Sequence, residues 1–213
     1  MERNITITLE KAKEWYNSDN ESLKEVALQA FSEEELNAFD FTKIKTFEDA
    51  LTALKYNEST KVYIRNTIND ISMYSKASAA MSQLNIVRKA LNLGKDLYLT
   101  KYPIWYPINP FLAKDATHFR NKLKEHETEV VGKIKNEGEI YEVIGGLADV
   151  NHDYGLGDFC CDVKVGFTTA SSGFLGCASE EIAQHFGKYF GMLITEAKYG
   201  DLTDFEIIEN KYQ

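Results

Sequence analysis

Apolar residues recur every three or four positions through the first half of the chain, the pattern of amphipathic helices. Leu23, Val26 and Ala27 share one face of an early example. A Ser or Thr followed three residues later by an acidic residue can form a reciprocal capping box, which marks a helix start. Three pairs fit this pattern: Ser18 and Glu21, Ser32 and Glu35, and Thr46 and Asp49. We therefore predict short helices between about Leu9 and Leu54.

A longer helix is predicted from about Lys61 to Asn92, where apolar residues keep a mixed three- and four-residue spacing. Gly94 follows it, in a place where glycine commonly ends a helix with a positive φ. The apolar stripe along this helix could be a coiled-coil seam, but the polar positions beside it show little alternation of charge. Packing within the same domain is therefore favoured.

All three prolines lie between Tyr102 and Pro110, in a segment that is also rich in aromatic residues. Proline fixes φ and lacks a backbone donor, so we predict an extended crossing segment and neither a helix nor a central strand. The segment could be an aromatic shelf for a ligand or a packed connector, and the connector is favoured.

The hydrophobic period changes to two after residue 128. Glu129–Lys135 and Glu139–Ile144 read as two strands, joined by a hairpin turn at Asn136–Gly138 in which glycine allows a positive φ. Alternation around Val163, Val165 and Phe167 predicts another strand, and Phe174 with Leu175 a fourth. A final helix is predicted from Ser179, an N-cap residue followed by two glutamates, to Gly200.

These elements predict an α+β fold. Its N-terminal half is helical with one long helix, and a small antiparallel sheet follows, made of a hairpin plus one or two strands and closed by a C-terminal helix. We divide the chain into a helical region (1–95), a proline and aromatic crossing segment (96–128) and a region with the hairpin, a Gly/Tyr loop and the closing helix (129–213). One compact domain is expected overall.

Composition narrows the function classes. The 213 residues are 44% hydrophobic and carry a net charge of -9, which argues against binding to nucleic acid or to an anionic membrane surface. No segment is long and apolar enough to span a bilayer, and the N-terminus lacks the apolar core of a signal peptide. Three clustered cysteines without such a peptide indicate reduced thiols in a cytoplasm.

Candidate chemistry concentrates in the loop from Gly145 to Asp162. Cys160 could be a nucleophile with His152 as its base, but neighbouring aspartates would oppose formation of a thiolate. His152, Asp153 and Asp158 could bind a metal, yet they lack the spacing of a zinc or calcium site. The glycines lie far from a helix start and match no phosphate-binding motif, so no cofactor is predicted.

Three segments resemble an uncharacterised family of small phage and prophage proteins of gut bacteria. They are Ile44–Leu51, the stretch Tyr102–Pro110 with the hairpin and its Val143–Gly146 exit, and Ser179–Phe190, which is similar to the closing helix of that family. Relatives often carry an Arg-Leu pair and a Phe-Lys before this helix, where the present chain has Gly173–Ala178. The resemblance implies a phage-encoded or prophage-encoded protein and carries over no activity and no functional residue.

The leading hypothesis is a non-enzymatic binding or interaction module, either a host-directed accessory protein or a virion component. Its partner would be another protein or a second copy of itself. Trp105, Tyr154 and Phe159 are the predicted anchors, because aromatic side chains dominate interface energetics. Two alternatives stay open: a small hydrolase that uses Cys and His or a metal, and a homo-oligomeric structural protein assembled through the long helix.

Overall fold

The computed structural model describes residues 7–37, 39–93, 105–109, 111–113, 128–150 and 175–212. The chain separates into two compact units, Met1–Asp40 (the N-terminal unit) and Phe41–Gln213 (the main unit). The helices and strands confirm the predicted α+β fold.

Three short helices lie in the described part of the N-terminal unit: α1 (Leu9–Tyr16), α2 (Glu21–Ala30) and α3 (Glu33–Asn37). Its core consists of Ala12, Ala27 and Leu36, against which Ile7, Trp15, Tyr16 and Phe31 pack. The Ser32–Glu35 capping interaction is confirmed, because each residue's side chain accepts the other's backbone N–H. The predicted Ser18–Glu21 box is wrong: Asn20 caps α2 by accepting from Leu23 N, and Ser18 donates to the Trp15 carbonyl.

The main unit begins with a 3-10 turn (Phe41–Lys43) and contains four described helices. These are α4 (Phe47–Ala53), α5 (Glu58–Ser72), α6 (Lys76–Leu91) and α7 (Glu180–Tyr199). The predicted Thr46–Asp49 capping box opens α4, and Ser179 caps α7 as expected. Ile182, Phe186 and Leu193 are buried along α7.

The single long helix predicted over Lys61–Asn92 is wrong, because the chain breaks between α5 and α6. Ser75 caps α6 by accepting from Ser78 N, and its hydroxyl donates to Asp201 Oδ2 at 2.5 Å. Asp201 Oδ1 also accepts from Ala77 N at 3.2 Å. A carboxylate from the turn after α7 thus helps to satisfy the free backbone donors that the break creates.

The described residues form six strands in two sheets. They are β1 (Trp105–Ile108), β2 (Phe111–Ala113), β3 (Glu129–Asn136), β4 (Glu139–Gly145), β5 (Leu147–Val150) and β6 (Phe205–Asn210). The larger sheet has the antiparallel order β2-β4-β3-β6, and β1 pairs with β5. The hairpin of β3 and β4 is confirmed, and both loop residues have positive φ (50° at Glu137 and 83° at Gly138), as a type I′ turn requires.

Four expectations about strands and loops need correction or stay open. The proline segment is extended as predicted, but Trp105–Ile108 is a strand, in which Pro107 pairs with Ala148. Leu175 lies in a 3-10 turn and not in a strand. Strands β2, β5 and β6 had no counterpart in the prediction. The predicted loop from Gly145 to Asp162 is wrong at its start, because Leu147–Val150 forms β5 by pairing with β1. The strand predicted around Val163 lies outside the described residues.

Helix α7 is the centre of the main unit, with α6 on one side and strands of both sheets on the other. The fully buried Asn109 fixes it to the sheet, because its amide Nδ2 donates to the carbonyls of Ile144 (2.9 Å) and Gly187 (2.7 Å). Gly191 lies directly against the same amide, so the helix approaches the strands closely at this point. This contact fixes the distance between α7 and the strands at Asn109.

Candidate functional site

A cavity of about 260 Å³ lies where four parts of the main unit converge. We call it the Lys45 pocket. The entry to α4, the middle of α6, the middle of α7 and the end of β6 supply its lining residues. These are Lys45, Thr46, Phe47, Glu48, Gln83, Tyr189, Phe190, Leu193, Asn210 and Tyr212.

Apolar and aromatic groups form most of the pocket wall. Phe190 and Leu193 are buried in α7, and Phe47 is half-buried at the start of α4. The rings of Tyr189 and Tyr212 lie 4.7 Å apart between their centroids, at a tilt of 57°. Lys45 Nζ lies 5.4 Å from the centre of the Tyr189 ring, within the range of a cation–π contact.

His185 supports this wall from one turn earlier in α7. Its Nε2 lies 2.7 Å from the carbonyl oxygen of Ile44, which can only accept, so Nε2 carries the proton. Its ring contacts Phe41 and Tyr189, with centroid distances of 5.4 and 4.6 Å. The histidine therefore ties the segment that carries Lys45 to the helix that carries Tyr189.

The carboxylate in the pocket lining is already paired. Glu48 accepts two hydrogen bonds from Arg65, from Nε at 2.8 Å and from Nη2 at 2.6 Å. This bonding holds the pKa of Glu48 below its usual range. The side chain is exposed, so the pair adds little stability, but it occupies both carboxylate oxygens.

A second paired carboxylate stands behind Tyr212. Glu129 accepts from the Tyr212 hydroxyl at 2.5 Å and pairs with Lys188 Nζ at 2.8 Å and with Lys211 Nζ. Burial, and next the nearby Tyr189, raises the pKa of Tyr212. One carboxylate thus meets two ammonium groups, which leaves a surplus of positive charge beside the pocket.

Several polar groups of the lining have no partner among the described residues. Lys45 Nζ has no carboxylate within ion-pairing distance there, and the Tyr189 hydroxyl and the Gln83 amide have no hydrogen bond in that part of the chain. Asn210 Oδ1 accepts from Tyr212 N at 3.2 Å, which leaves its NH₂ group available. Each of these groups can donate a hydrogen bond, so the pocket favours a ligand that accepts.

Trp105 is the one predicted anchor that lies within the described residues. Its backbone pairs with Val150 on one side and with Cys177 on the other, where Cys177 N donates to its carbonyl at 2.8 Å. The side chain is half-buried. The remaining predicted site residues, which are His152, Asp153, Tyr154, Asp158, Phe159 and Cys160, lie outside the described part of the chain.

The described part of the chain contains no group of three or more His, Cys, Asp or Glu side chains arranged to hold a metal ion. Cys177 is buried, and burial raises its thiol pKa to about 12. In the same ranges, no helix combines the length and the apolar character needed to cross a membrane.

No known protein family, curated protein or solved structure matches this chain. A function therefore has to be argued from the Lys45 pocket and from the residues around it. Sequence reasoning missed this pocket, although the Thr46–Asp49 capping box correctly located the turn that presents Lys45 and Phe47.

Proposed function

We propose that this chain is a non-enzymatic protein-binding module and that the Lys45 pocket receives an anchor side chain of its partner. The observation that carries the proposal is the combination of an apolar floor with polar donors that have no partner in the described residues. Deep contacts of this kind, a side chain seated in a desolvated pocket, supply most of the energy of typical interfaces.

The chemistry of the lining supports binding over catalysis. Its one carboxylate is held by Arg65, and the Tyr212 hydroxyl donates to Glu129. Among the described residues, no hydrogen bond joins the Tyr189 hydroxyl to a histidine, and His185 Nε2 is bonded to the Ile44 carbonyl. The cavity is also smaller than the roughly 300–1,000 Å³ typical of pockets for cofactors and drug-sized ligands. One amino-acid side chain is a better match to this volume.

The biological setting is a further part of this proposal. The resemblance to phage and prophage proteins motivates a host-directed accessory protein or a virion component. Genomic neighbours provide the test: placement among capsid and tail genes favours the virion, and placement among early genes favours a host-directed role. A location among unrelated bacterial housekeeping genes would contradict both.

Quantitative capture of partner proteins tests the binding function. The full chain is immobilised and compared with the Lys45→Glu and Lys89→Glu variants. Lys89→Glu is the control, because it reverses the charge of an exposed α6 lysine that does not line the pocket. We expect Lys45→Glu to reduce recovery of a specific partner by about ten-fold or more, equivalent to at least about 1.4 kcal/mol. Lys89→Glu should leave recovery unchanged, with similar melting temperatures for all three proteins.

A fourth protein, Tyr154→Ala with Phe159→Ala, separates the pocket from the Gly/Tyr loop. If this double variant loses the partner while Lys45→Glu retains it, the loop is the binding surface and the pocket assignment is wrong. Equal recovery by every variant, or no specific partner at all, would contradict a binding module of this design.

A further inference from the structure

The surroundings of the Lys45 pocket are more basic than the molecule as a whole. The chain has a net charge of -9, yet the ammonium group of Lys45 lies at the pocket without an ion-pair partner in the described ranges. The nearby Asp49 carboxylate is engaged at the start of α4, where it accepts from the backbone N–H groups of Lys45 (3.0 Å) and Thr46 (2.9 Å). Glu48 is neutralised by Arg65. Glu129 is shared by Lys188 and Lys211, which leaves one further cation nearby.

The hydrogen-bonding groups point to the same kind of ligand. Lys45 and the free NH₂ of Asn210 can only donate, whereas Gln83 and Tyr189 can both donate and accept. A carboxylate has about four acceptor sites and no donor, so it suits such a set better than an amide or an alcohol does.

The apolar floor requires that this carboxylate has a bulky neighbour. Phe190 and Leu193 are buried at the floor, and the two tyrosine rings form an aromatic wall. Because the cavity holds only about 260 Å³, the carboxylate and the apolar group must lie within one residue of each other. Both groups belong to the same residue at the C-terminus of a peptide.

We infer that the Lys45 pocket binds the C-terminal residue of a partner protein, with the free α-carboxylate at Lys45 and a bulky apolar side chain on the floor. This inference rests on the proposed binding function and specifies the part of the partner that is recognised. Capture of a free C-terminal carboxylate is a known mode of peptide recognition. Lys45 would supply charge, and Tyr189 and Asn210 hydrogen bonds.

Two matched peptides test the role of the carboxylate. Backbone amide shifts of the full chain are followed by NMR during titration with N-acetyl-Leu-Phe as the free acid and with the same dipeptide as its C-terminal amide. We expect the acid to bind about ten-fold more tightly or better, with shifts concentrated at the pocket residues. Equal affinities, or shifts concentrated elsewhere, would overturn the inference.

Two protein variants locate the carboxylate. Lys45→Gln should reduce the affinity for the acid to that for the amide, because the only large change is the loss of the ammonium group. Lys89→Gln should keep the full preference for the acid. A preference that survives Lys45→Gln would show that the carboxylate binds elsewhere, and the assignment would be wrong.

Two further probes identify the source of the carboxylate. N-acetyl-Asp-Phe-amide places the charge on an internal side chain, and 3-phenylpropanoate is a free small acid. Both should bind more weakly than the dipeptide acid. Equal or tighter binding of N-acetyl-Asp-Phe-amide would favour an internal acidic segment as the ligand. Equal or tighter binding of 3-phenylpropanoate would favour a small molecule. Either result would overturn recognition of a C-terminus.

This experiment fails separately from the capture test. Lys45-dependent capture with equal binding of acid and amide would leave the binding module standing and remove the C-terminal inference. Preferential binding of the acid without any captured protein would keep the carboxylate site and remove the proposed protein-binding role.

Discussion

Cys177 shows how strongly burial controls the chemistry of a single residue. Its side chain is inaccessible, and the thiol pKa is raised to about 12 from an ordinary value of 9.0, chiefly by loss of solvation. We expect no iodoacetamide labelling of Cys177 in the folded chain at pH 8, because alkylation requires an accessible thiolate. Peptide mapping by mass spectrometry measures this, with the urea-unfolded chain as control.

The same digest tests the hydrolase alternative. With Cys177 protected, labelling of the native chain reports on Cys160 and Cys161. Labelling of Cys160 much faster than that of an unfolded cysteine would support an activated nucleophile. Rapid labelling of Cys177 itself would contradict its buried environment.

The raised pKa of Cys177 also predicts a loss of stability at alkaline pH. Between about pH 9 and 12 the unfolded chain releases this proton while the folded chain keeps it, so rising pH favours unfolding. At pH 10 this thiol alone would lower the free energy of unfolding by about 1.4 kcal/mol. Urea titrations at pH 8 and pH 10 measure the loss, which should be smaller by this amount in Cys177→Ala. An identical loss in both proteins would contradict the shift.

One residue of the turn between β3 and β4, Glu137, has a strained backbone conformation that a substitution can relieve. Glu137 has a φ of 50°, a region that asparagine and glycine tolerate better than glutamate does. Glu137→Asn should therefore raise the free energy of unfolding by about 0.5–1 kcal/mol. Gly138→Ala should lower it by about 1 kcal/mol, although the added Cβ meets no atom within 4 Å. Thermal unfolding of both variants provides the test, and equal effects would contradict a turn that depends on φ.

At the scale of elements, the contact between α7 and the strands depends more on Gly191 than on Gly187, which lies one turn earlier in the helix. A Cβ at Gly191 would collide with the amide of Asn109, whereas at Gly187 the nearest atom, Pro107 Cβ, would be 3.3 Å away. Gly191→Ala should lower the free energy of unfolding by about 1–3 kcal/mol, despite the better helix propensity of alanine. Gly187→Ala should change it by less than about 1 kcal/mol.

These two variants form a matched pair, because each adds one methyl group to the same helix. Denaturant unfolding followed by circular dichroism measures both. A larger loss of unfolding free energy in Gly187→Ala than in Gly191→Ala would show that Asn109 moves aside easily. Asn109 would then not fix the distance between α7 and the sheet.

Local patterns predicted elements well where the determining contacts are local. The capping boxes at Ser32 and Thr46, the turn of the β3–β4 hairpin and the N-cap of α7 all depend on residues three positions apart. The break before α6 involves a distant residue, because Asp201 bonds to Ser75 across 126 positions. The apolar spacing continues across this break, so periodicity alone merged two helices into one.

Strand β6 was missed for a related reason. Its residues alternate weakly, and only partial burial against β3 distinguishes it from a polar tail. The Lys45 pocket was missed because its lining comes from four separate segments, none of which carries a motif. Residue types can be read along a chain, whereas the convergence of Lys45, Gln83 and Asn210 depends on how the elements pack.

At the scale of the whole molecule, each compact unit has a hydrophobic core of its own. Among the described residues, that of the N-terminal unit consists of three small or medium side chains and the partly buried residues around them. The core of the main unit includes the large, fully buried Phe111, Phe186 and Leu84. A segment of about 40 residues buries too little apolar surface to be stable by itself without further support, whereas one of about 170 residues can do so.

We therefore expect a shortened chain that begins at Phe41 to fold and to keep the Lys45 pocket. Its melting temperature should lie within about 4 °C of that of the full chain, a shift that corresponds to about 1–2 kcal/mol for a protein of this size. Residues 1–40 alone should show little cooperative unfolding. Scanning calorimetry and circular dichroism measure both, and titration with the dipeptide acid checks the pocket. The shortened chain retains every residue that lines the pocket, because the lining lies entirely after residue 40. Aggregation of this chain, or a much lower melting temperature, would therefore show that folding of the main unit depends on residues 1–40.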